Sequence, residues 1–253
     1  MQEKDEKYTA LYKTQDKILD IVAKEKLGFY LTGGTALQRF HFDLYRYSDD
    51  LDLFLIENGY NKTINKEFDT LATLLKDNAI DFTINPTTST LPHFRQIIIN
   101  ENHLKIDLVN DIVFHENDFV TLENGLKIDS IQNIFANKLE TSISRNEARD
   151  LFDIYTILKY ANISVSKGFD LLCKKTNITP NDVINNIKQI ELTKIPTFKN
   201  INFKNDTICN DFVLNFKDLI SKKLTIDTFL KTTNEYKLNK IPTNYSKPKS
   251  RKR

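Results

Sequence analysis

The sequence predicts an α+β protein: a mixed β-sheet with flanking helices, followed by a helical domain. Two observations carry the prediction. Short apolar stretches with strand-like alternation cluster before residue 128, and beyond that point apolar residues recur at helical spacing as far as residue 236.

The elements follow in order. Residues 5–26 predict a helix, with Leu11, Ile18, Leu19, Ile21 and Val22 available for an apolar face. Phe29-Tyr30-Leu31 predicts a short buried strand that runs into Thr32-Gly33-Gly34-Thr35, and residues 36–40 then look helical. Residues 50–56, DLDLFLI, give the strongest strand signal, and a helix is expected over 62–77. Three more strands are expected over 80–85, 93–99 and 103–109, the last two joined at Asn100-Glu101-Asn102, whose composition suits a hairpin turn. Helices are expected near 130–143, 146–160, 166–176, 180–190, 207–221 and 225–236, punctuated by Pro196 and the polar stretch 199–206. The organisation expected is a catalytic domain over 1–127, a helical domain contributing to the active site over 128–240, and a basic flexible tail over 241–253.

Hydrophobic residues make up 40% and charged residues 28% of the 253, enough to bury a core and stay in solution. No apolar run approaches the ~18 residues that a membrane helix needs. The first residues, MQEKDEKYTALYKTQDK, are polar and charged, so a cytoplasmic protein without membrane association is expected. Cys173 and Cys209 are the only cysteines, which suggests a reducing compartment and a packing role for both. The net charge is +2, but residues 237–253 hold seven Lys or Arg and no acid; the tail is +7 and residues 1–236 are therefore −5. Attraction to nucleic acid would have to rest on the tail or on a local patch.

Four elements can carry chemistry. In the segment Ser48-Asp49-Asp50-Leu51-Asp52-Leu53, strand alternation sends the leucines to one face and Asp50 and Asp52 to the other. Two like charges on one face repel, and a bound dication would remove that penalty. In His103-Leu104-Lys105-Ile106-Asp107, Asp107 lies on the face opposite the apolar residues; if the two strands are neighbours, three carboxylates can hold two metal ions. The pair Gly33-Gly34, two of only six glycines, sits between a strand and a helix, where backbone N–H groups can approach a phosphate and Thr35 adds a hydroxyl. Arg145, Arg149 and Asp153 are spaced i, i+4, i+8, as on one helix face; with Lys138 seven residues earlier they could reach a triphosphate, Asp153 orienting the basic groups.

Each signal alone has an ordinary explanation. The aspartates could be solvated, the Arg/Asp stripe an exposed ion-paired face, Lys138 a surface residue and the glycine pair a turn. His41, His93, His103 and His115 show no metal-ligand spacing.

Together, Gly33-Gly34-Thr35-Ala36-Leu37, Arg46-Tyr47-Ser48-Asp49-Asp50-Leu51-Asp52-Leu53, Lys105-Ile106-Asp107, Lys138-Leu139 and Arg149-Asp150-Leu151-Phe152-Asp153-Ile154-Tyr155 resemble the nucleotidyltransferase family that includes the AbiEii/AbiGii-type toxins, within the polymerase-beta-like superfamily. The resemblance covers roughly residues 29–160 and implies a sheet of the nucleotidyltransferase type. It implies that Gly33 and Gly34, with Thr35 and Ser48, contact nucleotide phosphates, that Asp50 and Asp52 bind metal, and that Lys138 and Asp153 belong to the active site. Arg46 resembles the family's arginine before the serine, which either touches substrate or braces the turn.

The expected reaction moves a nucleoside monophosphate from an NTP to an acceptor hydroxyl, releasing pyrophosphate. Two Mg²⁺ ions are expected as cofactor, with Mn²⁺ as a substitute. Asp107 would complete a metal site and take the hydroxyl proton. The resemblance further implies the toxin of a toxin–antitoxin or phage-defence pair, an antitoxin protein as partner, and RNA as acceptor, in the form of a tRNA 3′ end. A protein hydroxyl, a small-molecule hydroxyl, a nucleotide binder without turnover, and a nucleic-acid-binding module are the alternatives.

Overall fold

The computed structural model describes residues 2–145 and 147–224. The expected helix over 225–236 and the basic tail lie outside them. Seven strands form one mixed sheet in the order β3-β4-β5-β2-β1-β7-β6. They span Phe29–Thr32 (β1), Leu51–Leu55 (β2), Phe82–Ile84 (β3), Phe94–Ile99 (β4), Leu104–Val109 (β5), Phe119–Thr121 (β6) and Lys127–Asp129 (β7). The pairs β2–β5 and β1–β7 are parallel and the rest antiparallel.

Alternation decides what each face of the sheet holds. In β2, Leu51, Leu53 and Leu55 are buried, while Asp52 and Phe54 are only half-buried on the opposite face. In β5, Leu104, Ile106 and Leu108 are buried and Asp107 is half-buried. The apolar side joins one core with α1 (Gln2–Lys24) and α3 (Asn65–Asp77), which contribute Leu11, Ile18, Leu19 and Val22, and Phe68, Leu71 and Leu75. Between β1 and β2 the chain forms α2 (Gly33–Ala36), continued by a π-helical segment over Leu37–His41.

The helices after the sheet are α4 (Ile131–Ser144), α5 (Ala148–Tyr160), α6 (Val165–Lys175), α7 (Pro180–Gln189) and α8 (Asp206–Lys223). Four of these starts follow from side chains that satisfy the first free N–H groups: Ser130 for α4, Ser164 for α6, Asn205 for α8, and for α7 a reciprocal pair of Thr179 and Asp182 with Pro180 in the first turn. Helix α5 is buried on nearly every side; Phe152 meets Phe212 of α8 edge-on at 5.1 Å between ring centroids.

Three expectations need correction. Strands β6 and β7 add to the strands expected; each has three residues, too short for alternation to show, and they meet in a tight turn where Gly125 has φ +89°. Arg145 is not on the helix of Arg149 and Asp153: it ends α4, and α5 begins only at Ala148, so the i, i+4, i+8 stripe does not exist. Cys173 is exposed rather than packed. Among the described residues no helix is long and apolar enough to cross a membrane.

Candidate active site

The parallel register of β2 and β5 sets Asp52 directly opposite Asp107. On the other side of Asp52 lies Thr32 of β1, and beyond Asp107 lies Gln96 of β4, whose amide donates to the Asp107 carboxylate at 2.7 Å. Asp50 precedes β2 by one residue and stands 4.0 Å from the Arg149 guanidinium. Burial and the facing Asp107 charge push the Asp52 carboxyl up to about 6. Burial raises Asp50 and Asp107 as well; Lys105 and Arg149 oppose the rise at Asp50, and the Gln96 hydrogen bond and Lys105 oppose it at Asp107.

The glycine pair fits against these groups. Gly33 has φ +71°, and a Cβ there would run into the Asp52 carboxylate. A Cβ at Gly34 would collide with the Arg46 guanidinium and the Ser48 hydroxyl. The turn thus passes as close to the acidic face as a backbone can.

Behind the turn is a buried cluster of charges. Asp153 accepts from Arg46 Nε and Nη2, both at 2.8 Å, and from Gln38 at 3.1 Å. Lys138 reaches Asp150 at 2.6 Å and Asp153 at 2.8 Å. Arg145 adds a two-pronged interaction with Asp150, at 2.7 and 3.1 Å. Burial alone would raise Asp150 and Asp153, but these cations hold both below the ordinary carboxylate range. Three cations against two carboxylates leave one positive charge over. Gly34, Arg46, Ser48, Asp50, Asp52, Asp107, Lys138, Arg145 and Arg149 line a small cavity of about 90 Å³. It adjoins a larger cavity of about 430 Å³, to which Asp52, Lys138 and Arg145 also contribute.

Most of the expected site residues therefore meet in one place. Lys138 is 5% exposed, not a surface residue. Arg149 is near the site from α5 and Arg145 from the end of α4. Thr35 is brought close but turned away: it is fully buried and its hydroxyl donates to the Asp50 carbonyl, bracing the start of β2. Arg46 is committed to Asp153 and to the Tyr47 carbonyl, which is a bracing arrangement. The carboxylate oxygens of Asp50, Asp52 and Asp107 are the donor type that Mg²⁺ prefers, and the unneutralised Asp52–Asp107 pair gives a dication something to relieve. Among the described residues no group of three acidic, His or Cys side chains is close enough to form a ready-made metal cage.

Residues 18–230 match the family described as nucleotidyl transferase AbiEii toxin, type IV TA system. The chain belongs to this family. As an AbiEii-family member it is a nucleotidyltransferase. No curated protein sequence matches it. Among solved structures it is similar to JHP933 from Helicobacter pylori, with 18% identity, 91% of this chain and 94% of that one covered, and a TM-score of 0.45. A second H. pylori structure, named there as a candidate nucleotidyltransferase, has 20% identity, 92% and 98% coverage and a TM-score of 0.48. A Megavirus polyadenylate synthase has 14% identity, 62% and 34% coverage and a TM-score of 0.44.

Two members of this AbiEii-family site escape sequence reasoning. Asp150 is fully buried between Lys138 and Arg145, and its i, i+3 spacing to Asp153 on α5 is the signal that could have found it. Gln38 ties the site to the turn, its carbonyl oxygen accepting the backbone N–H groups of Tyr45 and Arg46 while its amide donates to Asp153. No periodicity marks it.

Proposed function

We propose that this protein transfers a nucleoside monophosphate from an NTP to an acceptor hydroxyl on RNA, as the toxin of a toxin–antitoxin pair whose antitoxin is a protein partner. The observation that carries the reading is the Asp52–Asp107 register pair facing a glycine turn, with the Lys138–Arg145 cations on the adjoining wall. Opposite charges side by side suit a substrate that brings both a polyphosphate and metal.

In this reading the backbone at Gly33 and Gly34, the Ser48 hydroxyl, Lys138, Arg145 and Arg149 bind the triphosphate. Asp150 and Asp153 hold Lys138 in place, and Arg46, fixed by Asp153, braces the turn. The acceptor hydroxyl attacks the α-phosphorus in line, the P–O bond to the β-phosphate breaks and pyrophosphate leaves. Asp107 accepts the hydroxyl proton, its carboxyl already raised by burial. Asp50, Asp52 and Asp107 would hold divalent cations, Mg²⁺ first and Mn²⁺ as a substitute. When bound, the cations neutralise the carboxylates and stabilise charge developing on the transferring phosphoryl group.

A ribose 3′ end supplies a hydroxyl able to reach a recessed site, and the +7 segment over 237–253 supplies attraction to a phosphate backbone. The test incubates the full chain with each α-labelled NTP, Mg²⁺ and cell extract, then treats with RNase or protease before electrophoresis. Label lost with RNase supports an RNA acceptor. Label that survives RNase and is lost with protease assigns a protein hydroxyl instead, and no label on any acceptor rejects transfer.

A further inference from the structure

The face that carries the two aspartates continues. Two residues on from Asp52 is Phe54, and two on from Asp107 is Val109; the register pairs them side by side, as it pairs the aspartates. Alternation places the second pair about 7 Å farther along the same face. Phe54 and Val109, with Val113, line the apolar side of the 430 Å³ cavity, a volume that suits a small-molecule ligand. The Phe54 ring is held against Tyr30 of β1, with 6.0 Å between centroids, so the platform is fixed.

The opposite wall is polar. Asn137 and Glu140 come from α4, Lys175 from the end of α6, and Asp111 from just beyond β5. The cavity is polarised: Lys138 and Arg145 stand at the end shared with the carboxylate site, while its other charged lining groups, Asp111, Glu140 and Lys175, sum to one negative charge. A triphosphate is drawn to the two cations in preference to the mixed group, so a nucleotide held at Asp52 directs its base over Phe54.

Lys175 Nζ donates to Asn137 Oδ1 at 2.6 Å. An ammonium has no acceptor capacity, so this bond fixes the amide with its oxygen toward Lys175. Asn137 Nδ2, which has no hydrogen-bond partner among the described residues, is left as the donor offered to the cavity. A donor at this position pairs with an acceptor on the base edge. Uracil, cytosine and guanine offer a carbonyl oxygen, a stronger acceptor than the ring nitrogens that are all adenine has.

Building on the nucleotidyl-transfer reading, we propose that this cavity is the base-selecting site for the incoming NTP, in which Phe54 stacks on the base and Asn137, oriented by Lys175, favours a carbonyl-bearing base over adenine.

The test measures equilibrium binding of UTP, CTP, GTP, ATP and inorganic tripolyphosphate to the full chain in the presence of Mg²⁺. ATP is expected to be the weakest of the four nucleotides. Phe54→Ala should weaken all four by about tenfold, the usual loss when one stacking ring is removed, and leave tripolyphosphate unchanged. Asn137→Asp turns the donor into an acceptor and should raise ATP, with its amino group, relative to UTP, which has none. Phe54→Leu, which keeps apolar bulk, serves if the alanine variant does not fold. A Phe54 variant that shifts nucleotides and tripolyphosphate equally, or an Asn137 variant that leaves the order of the four unchanged, overturns the assignment while nucleotidyl transfer stands. A wild-type chain that binds no NTP rejects the transfer reading and this assignment with it.

Discussion

Asp52 faces Asp107 across β2 and β5 with no counter-charge in direct contact among the described residues, and its carboxyl is pushed up to about 6 against an ordinary value of 3.8. A carboxyl whose folded pKa lies above its unfolded one holds its proton more tightly when folded. Its stabilising contribution is therefore present below pH 3.8 and is lost as pH rises through about 6. In metal-free buffer Asp52→Asn should stabilise the fold at pH 7 by about 1–2 kcal/mol, solvent screening of a half-buried group included, and abolish transfer. Melting curves from pH 4 to 7 check the first part, and an unchanged slope in the variant would count against it. Lys138 behaves oppositely. Removing it leaves Asp150 and Asp153 buried with one cation fewer, so Lys138→Ala should lower the unfolding free energy by about 3 kcal/mol in urea titrations. A surface lysine would move it by no more than about 0.5 kcal/mol. The Asp150 and Asp153 pKa values are depressed by their cations, so their contribution is intact above the ordinary carboxylate range and fades as pH falls below it.

The strand–turn–helix from β1 into α2 is the element most exposed to a single methyl group. Gly33 combines a left-handed backbone with a carboxylate where Cβ would sit. Gly33→Ala should therefore displace Asp52 and reduce transfer by at least about 100-fold, at about 1–2 kcal/mol of stability. Comparing kcat with the melting midpoint separates the two effects; full activity in the variant would remove the turn from the site. This element was legible in the sequence only in company, because a glycine pair is usually just a turn and its place shortly before Asp50 and Asp52 gave it weight. The faces of β2 and β5 were legible too, through the alternation of DLDLFLI and HLKIDLV. Their adjacency was not, since parallel pairing of strands about fifty residues apart depends on tertiary packing that alternation does not encode. The spacing of Arg145, Arg149 and Asp153 misled for a related reason: counting residues assumes one continuous helix, and the chain breaks between α4 and α5. Asp150 was hidden because a buried acid between two cations looks, in one dimension, like any charge on a helix.

At the scale of the whole chain, charge is divided between a −5 body over residues 1–236 and a +7 tail. If the tail guides RNA, truncation before Ile241 removes five of those seven charges. Truncation should then weaken RNA binding and flatten the dependence of log K on log salt, the slope falling by about 0.7–0.9 for every phosphate no longer neutralised. An unchanged slope would assign the tail no role in holding RNA. The ion pair between Arg46 and Asp153 has a different consequence. Its partners are 107 residues apart in the chain, and Asp107 and Lys138 fall between them. During synthesis the carboxylate face exists only once β5 has emerged, and the cation wall is locked only when α5 follows it. The proposed site is thus incomplete until more than half of the chain has been translated, and a message broken before the codon for Asp153 yields a chain without it.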